Sequence, residues 1–142
     1  MIFLFGNKKK FAIECSINQA KPHLLGQVRL WICGIYLGYF DEEVMLNNFL
    51  HSINNLNERL NNLNDITLKN KSISNLFDEI YNTHNDNGKY LFIPIESFDD
   101  FEIFILTQES EIHFFWQLIE EPFFKYDNYP SGKQHSTVDI IF

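Results

Sequence analysis

FEIFILTQESEIHFFWQL, residues 101–118, is the stretch on which the fold turns. Successive side chains of an extended chain point to opposite faces, so Phe101, Ile103 and Ile105 line one side and Phe104 and Leu106 the other. Apolar residues on both sides mark a strand covered on both faces, as in the middle of a sheet. Glu111 to Leu118 carries a second extended run, with Ile112, Phe114, Trp116 and Leu118 on one face. Gln108-Glu109-Ser110 joins the two runs, and the pair reads as a β-hairpin.

Upstream, Lys89 to Ile95 is a further strand candidate behind a turn cluster, THNDNG, at 83–88. Two helices precede it. Leu46, Phe49, Leu50, Ile53, Leu56, Leu60 and Leu63 recur at three- and four-residue steps, the spacing of an amphipathic helix of about five turns. Asp41 is placed to cap its N-terminus, and Glu42 and Glu43 sit where the helix dipole favours negative charge. The opposite face is crowded with asparagine, a mediocre helix former, so packing of the Leu/Phe stripe has to hold this helix. A shorter helix is expected over Ser72 to Asn82.

Before Asp41 the period is two. Lys10 to Ile17 places Phe11, Ile13, Cys15 and Ile17 opposite Ala12, Glu14 and Ser16. Gln27 to Cys33 places Val28, Leu30 and Ile32 opposite Arg29 and Trp31. Cys33-Gly34 then turns the chain into Ile35 to Phe40, and the glycine suits a tight hairpin. Downstream, residues 122–135 are aromatic but irregular, and Ser136 to Phe142 reads as a closing strand. The order β-β-β-α-α-β-β-β-β implies an α+β fold, an antiparallel β-sheet with helices on one face. At 142 residues, with no repeat and no Pro/Gly/Ser-rich linker, one domain over 1–142 is expected.

Composition narrows the function classes. Hydrophobic residues make up 45% and aromatics 16%, too many for a disordered chain. No apolar run approaches a membrane span, and the opening apolar residues precede Lys8-Lys9-Lys10, the reverse of a signal peptide. The net charge of −8 argues against nucleic acid and against an anionic membrane as partners. That charge is uneven. Residues 1–40 hold five basic side chains against Glu14 alone, a net of +4, whereas residues 41–142 carry −12. Within 96–121 stand Glu96, Asp99, Asp100, Glu102, Glu109, Glu111, Glu120 and Glu121, with no Lys or Arg. Such a segment is either a solvated acidic face or a docking surface for a basic partner.

No constellation carries chemistry. His23, His51, His84, His113 and His135 are dispersed, with no His or Cys at ligand spacing, so no metal or cofactor is expected. His84-Asn85-Asp86 lacks the frame of a calcium loop. Cys15 and Cys33 are too few for a disulfide framework and read as core thiols on neighbouring strands. There is no strand-turn-helix serine motif and no phosphate loop, and no catalytic residue is assigned. His113 with Glu111 is a conceivable acid/base pair, though alternate strand residues share a face routinely. Trp31 and Trp116 each have two readings: a core ring with an internally bonded indole, or an aromatic anchor at an interface rimmed by acids.

The blocks Lys9-Lys10-Phe11-Ala12-Ile13-Glu14, Gly26…Leu30-Trp31-Ile32-Cys33-Gly34…Leu37-Gly38, Phe98-Asp99-Asp100-Phe101-Glu102 and Ile112-His113-Phe114-Phe115-Trp116 together resemble the immunity protein 42 family of bacterial polymorphic-toxin systems. The likeness covers most of the chain and is weakest through the Asn-rich helices and 122–135. It implies a small cytoplasmic protein of the contact-dependent growth inhibition type. Such a protein neutralises a cognate toxin C-terminal domain by stoichiometric binding, without catalysis. Many such toxins are nucleases with basic clefts, so the implied partner is basic. Charge, not the resemblance, nominates the toxin-binding residues: Asp99, Asp100, Glu102, Glu109, Glu111, Glu120 and Glu121, with Trp116 as anchor. The free protein is expected to be a monomer or weak homodimer. The alternatives are an adaptor unrelated to toxicity and an enzyme with a convergent pocket.

Overall fold

The structure, a computed structural model, describes residues 1–64, 71–84, 89–108 and 110–139. Strands β1 (Ile2–Asn7), β2 (Phe11–Gln19), β3 (Leu25–Ile32) and β4 (Ile35–Leu37) lie in that order in one antiparallel sheet. A two-residue strand, β5 (Val44–Met45), pairs with β3 on the same edge as β4 but at its other end. Helix α1 (Leu46–Arg59) runs on into a 3-10 turn at Leu60–Asn62, and α2 (Ile73–His84) follows. After a second 3-10 turn at Glu96–Phe98, β6 (Phe101–Gln108), β7 (Glu111–Leu118) and β8 (Gln134–Asp139) form another antiparallel sheet in sequence order.

The α+β class therefore holds, while the strands divide between two sheets instead of one. The dense apolar pattern of β6 explains how they meet. Helix α2 packs Phe77 edge-on against Phe104 and Phe115, which are cross-strand partners on one face of the second sheet. On the other face Phe114 stacks with Phe11 of β2 at 5.8 Å, joining the sheets. Helix α1 buries Leu46 and Phe49, and Phe49 stacks with Phe98 at 6.0 Å. Its 3-10 extension is tied to β6, because Thr107 donates from its N–H to Leu63 O and from its hydroxyl to Leu60 O. Burying a ring such as Phe49 is worth about 1.5–3 kcal/mol, which lets an Asn-rich helix hold its place.

Several boundaries move, each for a physical reason. Helix α1 starts after Met45, which makes no side-chain cap bond, and not at Asp41. Residues 44–45 are drawn into the sheet first, so Glu42 and Glu43 precede a strand and not a helix. β4 stops after Leu37 because Gly38, at φ 105°, lies against Phe98; a Cβ there would stand 2.9 Å from that ring. Lys89 to Ile95 makes only a bridge, Leu91 to Phe104, with flanking bonds from Phe92 N to Ile103 O and from Ile105 N to Tyr90 O. Pro94 has no N–H to extend that ladder. β1 is an additional edge strand, and β8 begins at Gln134. Thr83 and His84 close α2; Asn85 to Gly88 and the last residues of the expected closing strand, 140–142, lie outside the described residues.

Candidate functional site

The carboxylates that sequence groups into one segment are scattered by the fold. Glu96 and Asp99 lie on and just after the 3-10 turn, where they face Glu42 in front of β5. Glu42 is held above the usual carboxylate range by burial and then by Glu96, Asp99 and Asp100, and its Oε2 is sealed from solvent without a donor. Asp99, itself exposed, is raised by partial desolvation and then by Glu96 and Asp100. Among the described residues no basic side chain forms an ion pair with any of these groups. Glu120 and Glu121 are exposed at the start of the strap, residues 119–133, that links β7 to β8. Glu102 is half-buried and accepts a hydrogen bond from Gln117 at 3.0 Å. Glu111 sits at the far end of β7, on the order of 24 Å from Leu118 at the ordinary strand rise. Glu109 lies outside the described residues.

Asp100 and Trp116 are not surface groups, which corrects their assignment as contact residues. Asp100 is 5% exposed and acts as a clasp: Oδ1 accepts from Phe123 N, and Oδ2 accepts from Phe124 N and the Tyr126 hydroxyl. Tyr126 is pushed far above the usual phenol range by burial and by that contact with Asp100. Trp116 is fully buried, and its indole N–H donates to the Tyr129 hydroxyl, which donates in turn to Tyr36 O at 2.7 Å. The core reading of Trp116 is the one realised. What the strap does expose is Phe123, at 86%, beside Phe124, whose ring stacks on Tyr39 at 3.9 Å.

A second cluster lies on the first sheet, on the face turned away from Val28, Leu30 and Ile32. Glu14 of β2 stands opposite Arg29 of β3 in the register and is 5% exposed. Its Oε1 accepts from Arg29 Nε at 2.6 Å and from the Trp31 indole at 2.9 Å, and Lys8 lies 3.8 Å from Oε2. Burial pushes this carboxyl up, but the two hydrogen bonds and the charges of Arg29 and Lys8 win and hold it below the usual range. The alternation of Lys10 to Ile17 is correct, yet the Ala12/Glu14 side is the more deeply buried one.

The two remaining clusters are simpler. His113 Nδ1 and His135 Nε2 lie 3.0 Å apart with their rings nearly parallel, and His135 stacks on Phe115. A cleft of about 870 Å³ opens between β1, α1 and the second sheet, lined largely by Phe5, Ile53, Leu56, Phe114 and Val138, with Lys9 and Lys10 at its rim. Neither Glu42, Asp99 nor the histidine pair lines it. No group of three metal-ligating side chains occurs among the described residues.

Comparison with known proteins decides the family. The profile of immunity protein 42 matches residues 1–139. The chain belongs to the immunity protein 42 family. The fold is also shared with the crystal structure of CdiI from Burkholderia dolosa AUO158, at a TM-score of 0.70 and 16% identity, over 96% of this chain and 90% of that one. A comparison with curated proteins finds no match. The immunity-family blocks quoted from the sequence now have places. Lys9 to Glu14 turns into β2 and supplies the Glu14 clasp, Leu30 to Gly34 forms the turn of the β3–β4 hairpin, and Phe98 to Glu102 holds the strap. The Glu14–Arg29–Trp31 cluster escaped the sequence reading. The only signal for it was a lone acid among the five basic residues of 1–40.

Proposed function

We propose that this chain is an immunity protein that neutralises a cognate antibacterial toxin domain in the cytoplasm, by direct stoichiometric binding and without a catalytic step of its own. Family membership over residues 1–139 carries the reading. The acidic surface supports a basic target: Glu42, Glu96 and Asp99 crowd together at an electrostatic cost that a cationic partner relieves. Glu120 and Glu121 extend this surface along the strap, and Phe123 provides an aromatic contact at its edge. A basic cleft such as that of a nuclease fits best. The unit acts as one domain over 1–142, a monomer or weak dimer when free. Among the described residues no helix is long and apolar enough to cross a membrane.

Co-expression with the toxic domain encoded beside it is the test. Growth rescue together with a one-to-one complex is expected; rescue without a complex rules out stoichiometric binding, and failure of both favours the adaptor. Reversal to Lys of the exposed Asp99, Glu120 and Glu121 should weaken the complex at least tenfold while leaving the melting temperature near that of the parent. Equal affinity, measured by calorimetry, dismisses the acidic surface. Asp100 is unsuitable for such a test because its replacement releases the strap.

A further inference from the structure

The acidic surface leaves the +4 charge of residues 1–40 without a role. Of these cations, Arg29 and Lys8 meet at Glu14. The guanidinium carbon lies 4.9 Å from the Trp31 ring centroid, 5.4 Å from that of Tyr36 and 4.7 Å from that of Phe40, while Nε is held by Glu14. Three rings and a buried carboxylate thereby hold the group in place. Arginine carries five N–H donors, and Glu14 takes one. Among the described residues Nη1 and Nη2 meet no acceptor, and neither is sealed from solvent. The side chain as a whole is 25% exposed. Lys8, 43% exposed, lies over the same Trp31 ring at 4.7 Å. Arg29 and Lys8 share the single carboxylate of Glu14 as ion-pair partner, while Asp127 of the strap acts on the Tyr36 side of the cluster.

We infer that Arg29 is a preorganised receptor for a carboxylate on the partner protein, its two terminal amino groups gripping both oxygens. The identity of that partner as the toxin domain rests on the reading above. A planar fork is the group that matches a carboxylate bidentately. Here its ordering cost is met before binding, because ring contacts and Glu14 hold it in the free protein. Arg, Trp and Tyr are also the residues that dominate interface energetics. A protein carboxylate is favoured over nucleic-acid phosphate because a net charge of −8 repels a polyanion. A cationic fork on one sheet and an acidic surface near the strap give the interface two signs, which fixes the orientation of the bound toxin.

The chain has two arginines, Arg29 and Arg59, so side-chain signals are simple to assign. The full chain is titrated with the purified toxin domain encoded beside it. Arg29→Lys keeps a cation for Glu14 but loses the fork, and the affinity of the folded variant should fall tenfold or more. In the 15N-labelled parent protein, saturation with toxin should slow rotation of the Arg29 guanidinium and separate its Nη signals, whether or not the variant folds. Undiminished affinity of a folded Arg29→Lys protein, or Arg29 signals that ignore the toxin, overturns the inference while the immunity reading stands. A parent protein that binds no toxin domain overturns both. Labelled single-stranded DNA bound through Arg29 and displaced by toxin reassigns the fork to phosphate, against the inference.

Discussion

Asp99 and Asp100 are adjacent in sequence and opposite in fate. Asp99 is exposed in a crowd of like charges, and Asp100 is buried with three donors from the strap. Hydrogen bonds to a charged acceptor are worth about 1.5–3 kcal/mol each, and losing the charge weakens all three together. Asp100→Asn should therefore lower stability by about 2–3 kcal/mol in urea unfolding, and protease should cut the strap sooner than in the parent. An unchanged midpoint would remove the clasp from the account. Nothing in the string Phe98-Asp99-Asp100-Phe101 tells which carboxylate turns inward, because the donors come from residues 123–126. The same holds for Trp116. Its two readings could be separated only once Tyr129 was seen to accept its N–H.

At the scale of elements, local pattern carried furthest where one period persisted. The strands at 11–19, 25–32, 101–108 and 111–118 follow the extended pattern, and α1 follows three-to-four spacing except at Leu50, which is 51% exposed. The β3–β4 turn was legible from Gly34, but the price falls on Cys33, which adopts φ 50° beside Gly34 at φ 85°. Two positive φ values are the mark of a type I′ hairpin, where Asn is a better first residue. Cys33→Asn should raise stability by about 0.5–1 kcal/mol, read as a higher midpoint in thermal unfolding, whereas Cys33→Val should lower it. A destabilised Asn variant would contradict this. β1 was illegible because Ile2, Phe3, Leu4 and Phe5 show no alternation, and as an edge strand it leaves Ile2, Leu4 and Phe5 substantially exposed. Helix α1 begins late for a similar reason: pairing of β5 with β3 is a contact between distant residues that outweighs a local cap at Asp41.

For the whole molecule, titration should report how the two sheets are held. Burial holds His113 and His135 below the usual imidazole range, and His135 is lowered further by its neighbour. The unfolded chain therefore binds protons first, and stability falls as pH drops through about 6.5 toward the native values. Glu42 and Asp99 act in the other direction, because a raised native affinity means that stability is gained as pH falls through it. Glu14, depressed, loses its contribution only in stronger acid. His135→Phe should keep the ring stack on Phe115 and flatten the loss of stability between about pH 7 and 5 in denaturant titrations. An unaltered slope would show that the pair is not the source. The sequence by itself determined the α+β class, the hairpins, the amphipathic helix and the excess of acid, because each rests on near neighbours and simple periodicity. It also sufficed for the family, since those motifs are read without coordinates. Only the tertiary structure decided which charges meet. The division into two sheets, the clasp of Asp100 on the strap and the pairing of Glu14 with Arg29 and Trp31 join residues remote in the chain. No local pattern encodes the burial that gives such contacts their strength.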